Sequence, residues 1–204
     1  MSTPHRHQVF LDHDAPRADR SLPGPLGPGS AVTDFAALAT SEDSSESALP
    51  QVLRLTMRRH AAGVSVVTTC DAGGGPVGFC ATSLTSVSLQ PPTVSFSVGV
   101  NSTSGRAWRN TTHGIIHLLR SDQADVASAF AISGPGKFAG PVDWRWGPAG
   151  QPLLDNVLGW MLVRTRIRMI VGDHLLIVCD VREATVQSGH GPLIHYDSGF
   201  YSLP

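Results

Sequence analysis

From Leu49 onward, apolar residues recur at helical spacing. Leu49, Val52, Leu53 and Met57 form one face, while Arg54, Arg58 and Arg59 fall mostly on the other, which predicts an amphipathic helix ending near Gly63. The period then shortens to that of strands. Val64 to Cys70 is rich in β-branched residues, Asp71 to Pro76 is a glycine-rich turn, and Val77 to Ala81 reads as the return strand of a hairpin. A hydroxyl-rich stretch, Thr82 to Ser88, leads to a Pro91-Pro92 break and a new strand from Thr93 to Val98. Ser104 is placed to cap a short helix reaching Arg109. His113 to Leu119 is strand-like, and Asp122 to Ile132 reads as a helix with Val126, Ala129 and Phe130 inward. A loop of about twenty residues, Ser133 to Gln151, follows. Two long β-rich runs, Val157 to Ile170 and Leu175 to Thr185, flank Gly172-Asp173-His174, and Pro192 to Tyr196 and Phe200 to Leu203 look like closing edge strands. No repeat is visible. The fold class expected is mainly β with a few helices.

The first 46 residues follow no such pattern. They hold Pro4, Pro16, Pro23, Pro25 and Pro28, scattered charges and the acidic, Ser-rich run from Ser41 to Ser47, and few side chains there could offset the entropy of ordering. The expected organisation is a flexible extension over 1–46 and one domain over 47–204, with ordered structure starting between about Ser44 and Leu49. His5, His7 and His13 in the extension read as solvated rather than metal-binding.

Composition narrows the function classes. The chain has 204 residues, 41% of them hydrophobic, enough for one sizeable core. A net charge of -1 gives no basic surface for nucleic acid or an anionic membrane. No apolar run approaches a membrane span and the N-terminus lacks the apolar core of a signal peptide, so a cytoplasmic protein is expected. Cys70, Cys80 and Cys179 show no C-x-x-C spacing and read as free thiols in apolar surroundings. His113 and His117, four apart on a strand, stand roughly 13 Å from each other, too far to share a metal.

The candidate chemistry lies in the hydroxyl clusters. Thr82, Ser83, Thr85, Ser86 and Ser88 can each donate to an anion or a heteroaromatic edge, and a turn between strands adds unpaired backbone N–H groups; on composition alone the same stretch reads rather as a polar surface loop. Gly73-Gly74-Gly75 joins two strands and opens no helix, so it is no dinucleotide fingerprint. Ser102, Ser104 and Arg106 form a second polar cluster. The long loop holds Lys137, Phe138, Trp144 and Trp146, either a partly buried plug or a wall over a ligand. Arg164, Arg166 and Arg168 read as the wet face of a strand.

The run Gly78-Phe-Cys-Ala-Thr-Ser-Leu-Thr-Ser-Val-Ser-Leu-Gln-Pro-Pro-Thr-Val94 resembles the G-x-T-A-N-S-F-x-S-V-S-x-x-P-P-x-V signature of the short-chain flavin reductases, reductase components of two-component flavin monooxygenases. The similarity continues through Met57 to Thr69, Phe138, Gly172-Asp173-His174 and Pro192 to Tyr196, in family order, over roughly three quarters of the chain. It implies an FMN-binding split β-barrel, a homodimer, and hydride transfer from NADH or NADPH to FMN or FAD, with the reduced flavin supplied to a separate monooxygenase. It further implies that Ala81, Thr82 and Ser83 line the flavin ring, Ser86 and Ser88 the ribityl phosphate, and Ser102 and Ser104 the outer phosphate region. Lys137 and Phe138 then form a wall and His174 sits beside the nicotinamide. Such chemistry requires no protein acid, base or nucleophile, in keeping with the lack of a Ser-His-Asp triad or H-E-x-x-H motif.

The chain departs from the signature at four points. Thr82 stands where Asn is usual, Cys80 where Thr is frequent, His117 where Asn is common and Cys179 where Gly commonly follows the G-D-H strand. Thr lacks the paired donor and acceptor of an amide. Two readings therefore stay open at this level: a flavin reductase, or a split-barrel protein that binds flavin or another ligand without turnover or with a different reaction. A metalloprotein reading rests only on nine histidines in no ligand-spaced motif.

Overall fold

The computed structural model describes residues 42–203 apart from 133, 135 and 141, so the proposed 1–46 extension and its histidines lie largely outside the described residues. Contacts divide the chain between Ala48 and Leu49, and the fold below is that of the second unit. Helix α1 spans Glu42–Arg58, starting before the composition change and ending five residues ahead of the predicted Gly63. Its C-terminal Arg58 suits the negative end of the helix dipole, and Ala62–Gly63 instead forms a short strand, β1. The predicted apolar face is real but uncovered: Leu49, Leu53 and Met57 are exposed, and only Val52 and Leu55 are partly buried.

The following strands are β2 (Ser65–Cys70), β3 (Pro76–Ala81), β4 (Thr85–Leu89) and β5 (Pro92–Gly99), then helix α2 (Thr103–Trp108), β6 (His113–Leu118) and helix α3 (Ala124–Ala131). The supposed loop after α3 contains β7 (Trp144–Trp146) and a 3-10 turn at Pro148–Gly150, and β7 pairs with β8 (Pro152–Leu154). The chain ends with β9 (Gly159–Val171), β10 (His174–Val186), β11 (Leu193–Tyr196) and β12 (Gly199–Ser202). Seven antiparallel strands lie in the order β3-β2-β6-β9-β10-β5-β4, and β11 and β12 pair in a separate sheet with β1 rather than closing the main one.

Two corrections concern the hydroxyl-rich stretch. Thr85 to Leu89 is an edge strand, not a turn, pairing Thr85 with Ser95 and Ser86 with Val94, with an irregularity before Ser88 opposite Thr93. The α2 cap is Ser102 rather than Ser104: Ser102 Oγ accepts from Gly105 N at 2.9 Å and donates to Gly99 O at 2.8 Å.

The core has two parts, and β2 explains why. Its residues are buried on both faces, so Val67 packs with Phe96, Trp108 and Ile177 while Val66 packs with Leu119, Phe130 and Leu193. A strand covered on both sides reads as an unbroken β-branched run, which is what Ser65–Cys70 shows. Helix α2 lies against β2, β3 and β5, and Trp108 is buried beneath Phe96 with ring centroids 5.0 Å apart. Helix α3 packs through Phe130 on β3. Thus β3, the open edge of the main sheet, is flanked by both helices.

Candidate active site

A cavity of about 650 Å³ lies along that open edge. Its size is that of a pocket for a small organic ligand or cofactor. The wall is built from β3 outward. Gly78 O points away from the β2 ladder and accepts from Ser104 Oγ and Lys137 Nζ, both at 3.1 Å. The missing side chain at Gly78 is what lets the aromatic wall approach: a Cβ there would stand 2.6 Å from the Phe130 ring and 3.3 Å from Phe138. Phe130 and Phe138 meet edge to face at 5.1 Å, and Phe138 in turn meets Trp144 at 5.2 Å. Trp144 Nε1 donates to Phe138 O, which fixes the loop that carries both rings.

Opposite the aromatic side, the β3–β4 corner presents small polar groups. Ser83 Oγ accepts from Ser97 N at 3.0 Å and so ties the corner to β5, whereas the Thr82 hydroxyl makes no hydrogen bond among the described residues and remains for a ligand. His174 closes another side. The β9–β10 hairpin turns through Gly172 and Asp173, with Gly172 at φ +58° as a two-residue turn requires. Asp173 O accepts from Val100 N, locking the turn to the end of β5. His174 Nδ1 lies 2.7 Å from Asp173 Oδ1. A carboxylate only accepts, so Nδ1 carries the proton, and in that tautomer Nε2 is the acceptor. The same pairing draws the Asp173 carboxyl below its ordinary value.

Of the residues named from the sequence, Ala81, Thr82 and Ser83 line this cavity, as do Ser102 and Ser104, and Lys137, Phe138 and His174 complete the set. Ser102 and Ser104 line it with their protons already donated, to Gly99 O and Gly78 O, so their hydroxyls brace the wall. Ser86 and Ser88 are not in the lining. They sit on β4, where Ser86 is exposed and Ser88 Oγ accepts from Gln90 N, because the stretch continues as a strand instead of curling back. Sequence reasoning missed Gly78, Phe130 and Asp71 as lining residues. A glycine inside a strand pattern was the available signal for Gly78; nothing local marks the other two.

The four departures have different meanings. Cys80 packs against the core cluster that holds Val66 and Phe130, and burial pushes its thiol up to about 11. Cys179, on β10, is fully buried, its thiol pushed up to about 12 mainly by burial. His117 is structural: Nδ1 donates to Val66 O at 3.0 Å, Nε2 accepts from Leu154 N at 3.1 Å, and burial pushes it down to about 4. Of the four, only Cys80 and Thr82 line the cavity, and Thr82 alone brings it a free hydroxyl.

A cavity with phenylalanine rings in one wall, hydroxyls and backbone along the rest and a lysine among them can take a ring that is apolar on its faces and polar at its edge. Fold and site together define a ligand-binding antiparallel split barrel. The chain belongs to the flavin reductase like domain family, which matches residues 57–204. It is 40% identical over 152 residues to an NADH:FMN oxidoreductase of Rhodococcus qingshengii, covering 72% of this chain and 79% of that one. It is also 33% identical over 140 residues to the reductase component of a flavin-dependent trigonelline monooxygenase of Acinetobacter baylyi, covering 69% of this chain and 44% of that longer protein. Among solved structures, the Streptomyces globisporus C-1027 NADH:FAD oxidoreductase in complex with NAD and FAD fragments superposes with a TM-score of 0.71 at 26% identity, covering 77% of this chain and 94% of that one.

Proposed function

We propose that this protein is an NAD(P)H-dependent flavin reductase that passes hydride to FMN or FAD and supplies the reduced flavin to a separate monooxygenase. The observation that carries the reading is the cavity on the open edge of β3, where Thr82 and Ser83, the Phe130–Phe138 wall and His174 converge. Related proteins described as an NADH:FMN oxidoreductase and as a monooxygenase reductase component support it. The flavin supplies the electronic chemistry when bound, so the chain's task is to hold two rings face to face away from water. Phe138 closes the slot over the ring faces, and Thr82 and Ser83 meet the flavin's polar edge. His174, with Nδ1 committed to Asp173, accepts at Nε2 from an N–H of the nicotinamide carboxamide and sets where the ring rests. Four assays, combining NADH or NADPH with FMN or FAD and following the nicotinamide absorbance, test the function; absence of oxidation in all four sinks it.

Ser86 and Ser88 meet a ligand only where it extends beyond the cavity over β4. Replacing both with Ala lowers FMN affinity at least tenfold if the phosphate runs there and leaves it unchanged if the phosphate stays inside. The working form is a cytoplasmic homodimer. Supporting it, the outer face of the β9–β10 hairpin leaves Ile167 and Met169 each 51% exposed, and α1 leaves Leu49 62% exposed. Apolar area of that kind and the open edges β3 and β4 gain from a second copy. No helix among the described residues is long and apolar enough to cross a membrane.

A further inference from the structure

The cavity wall carries a cation with no anion beside it. Lys137 Nζ donates to Gly78 O on β3 and to Phe130 O in the last turn of α3, each at 3.1 Å. Among the described residues no carboxylate comes within ion-pair distance of it. The other ionisable groups in the lining are otherwise occupied. Asp71 Oδ1 accepts from Gly73 N and Gly75 N within its own turn, Cys80 is held as a neutral thiol by burial, and His174 is paired with Asp173. Lys137 itself feels the burial, which draws its ammonium below the ordinary lysine value. A partly buried, unpaired charge is costly, and an anion arriving in the cavity would relieve that cost.

The way the ammonium is held matters as much as its charge. Its two carbonyl partners belong to different elements, so the head group cannot swing freely, and a lysine ammonium has three N–H donors, of which these use two. One donor and a full charge remain, already fixed before any ligand enters. A flavin ring is neutral when oxidised and gains negative charge along its polar edge on reduction. Its phosphate is charged in both states.

We propose that Lys137 stabilises the negative charge that the flavin ring acquires on reduction, so that this protein binds reduced flavin more tightly than oxidised flavin. The assignment rests on the reading of the cavity as the flavin site. It predicts a redox-dependent affinity, which neither a phosphate contact nor a lysine that merely caps α3 would produce. Lys137→Gln is the informative variant, because it keeps N–H donors for the carbonyls while removing the charge, and Lys137→Arg keeps the charge. Anaerobic titrations with oxidised FMN, reduced FMN and riboflavin read the effect without any turnover. Lys137→Gln should weaken reduced FMN and reduced riboflavin at least tenfold and oxidised FMN less than threefold. The midpoint potential of the bound flavin should fall by about 30 mV for each tenfold of that difference, and Lys137→Arg should restore most of it. Equal loss for both redox states overturns the proposal, assigning Lys137 to the phosphate if riboflavin is spared. A Lys137→Gln protein that loses its fold by circular dichroism also overturns it, making the lysine a structural tie. A wild-type protein that binds neither form of flavin refutes the site itself, an outcome visible before any variant is made.

Discussion

His117 shows how a residue that looks like a ligand becomes a structural pin. Neutral and buried, it bridges Val66 O on β2 and Leu154 N on β8. Folded, it protonates only near pH 4, against 6.5 for an ordinary imidazole. Between those values the unfolded chain takes up a proton that the folded chain refuses, so stability is full above about pH 6.5 and declines as pH falls toward 4. The loss amounts to about 3 kcal/mol, and urea midpoints across that range should track it. His117→Leu should be less stable at pH 8, with two backbone groups unpaired, and should lose this part of the pH dependence. His174 belongs to the opposite class, exposed and at the cavity. His174→Ala should lower kcat/KM for NAD(P)H by an amount on the order of 1 to 3 kcal/mol while flavin affinity stays nearly unchanged. Equal weakening of both ligands would make the residue structural.

At the scale of elements, two glycines decide how closely strand, helix and wall can approach. In an ordinary helix Gly→Ala stabilises by about 1 kcal/mol. At Gly105 in α2 the added Cβ would lie 2.0 Å from Gly99 O, a backbone atom that cannot step aside, so Gly105→Ala should destabilise and lower the melting temperature. Gly99→Ala, with nothing within 4 Å, serves as the control. Gly78→Ala drives a methyl into the buried Phe130 ring, costing about 1 to 3 kcal/mol and displacing the wall. Flavin binding should fall more than stability does, as fluorescence titration beside a thermal melt would show. The hairpin β2–β3 was legible from its β-branched run and glycine turn, as were the Thr93–Val98 core of β5, the helical nature of Ala124–Ala131 and the β9–β10 pair. Strand β4 was not. Its five residues are mostly exposed and hydroxyl-rich, and they pair because β5 offers an edge, not because their own pattern demands a strand.

For the molecule as a whole, the uncovered apolar faces carry the clearest expectation. Ile167 and Met169 pair with Val178 and Leu176 on the outward side of the β9–β10 hairpin. Ile167→Glu with Met169→Glu should convert the proposed dimer to a folded monomer in sedimentation velocity, because both side chains already face solvent in the single chain. A wild-type protein that is monomeric when dilute yet binds flavin would remove the dimer from the account. The boundary proposed near residue 46 falls inside α1, which begins at Glu42. Truncations are therefore better placed before Glu42, and a chain starting there should keep its fold by circular dichroism.

What the sequence by itself determined was local or motif-borne. Alternation and β-branching marked the strands, the Asp71–Pro76 turn marked the hairpin, and the run from Gly78 to Val94 with Gly172-Asp173-His174 named the family. Eight of the ten proposed site residues line one cavity, although they come from four separate stretches of chain. Only the tertiary structure decided that the Ser104 hydroxyl is not free for a ligand, since it is spent on Gly78 O, a carbonyl of another element that no spacing rule links to it. It also decided that Ser86 and Ser88 stand apart, that Phe130 belongs to the wall, and that Lys137 meets β3 and α3 without a counter-ion. Periodicity reports how one element divides its faces between core and water. Hydrogen-bond partners and unpaired charges depend on which distant elements come to rest against each other, and that is set by the packing of the whole chain.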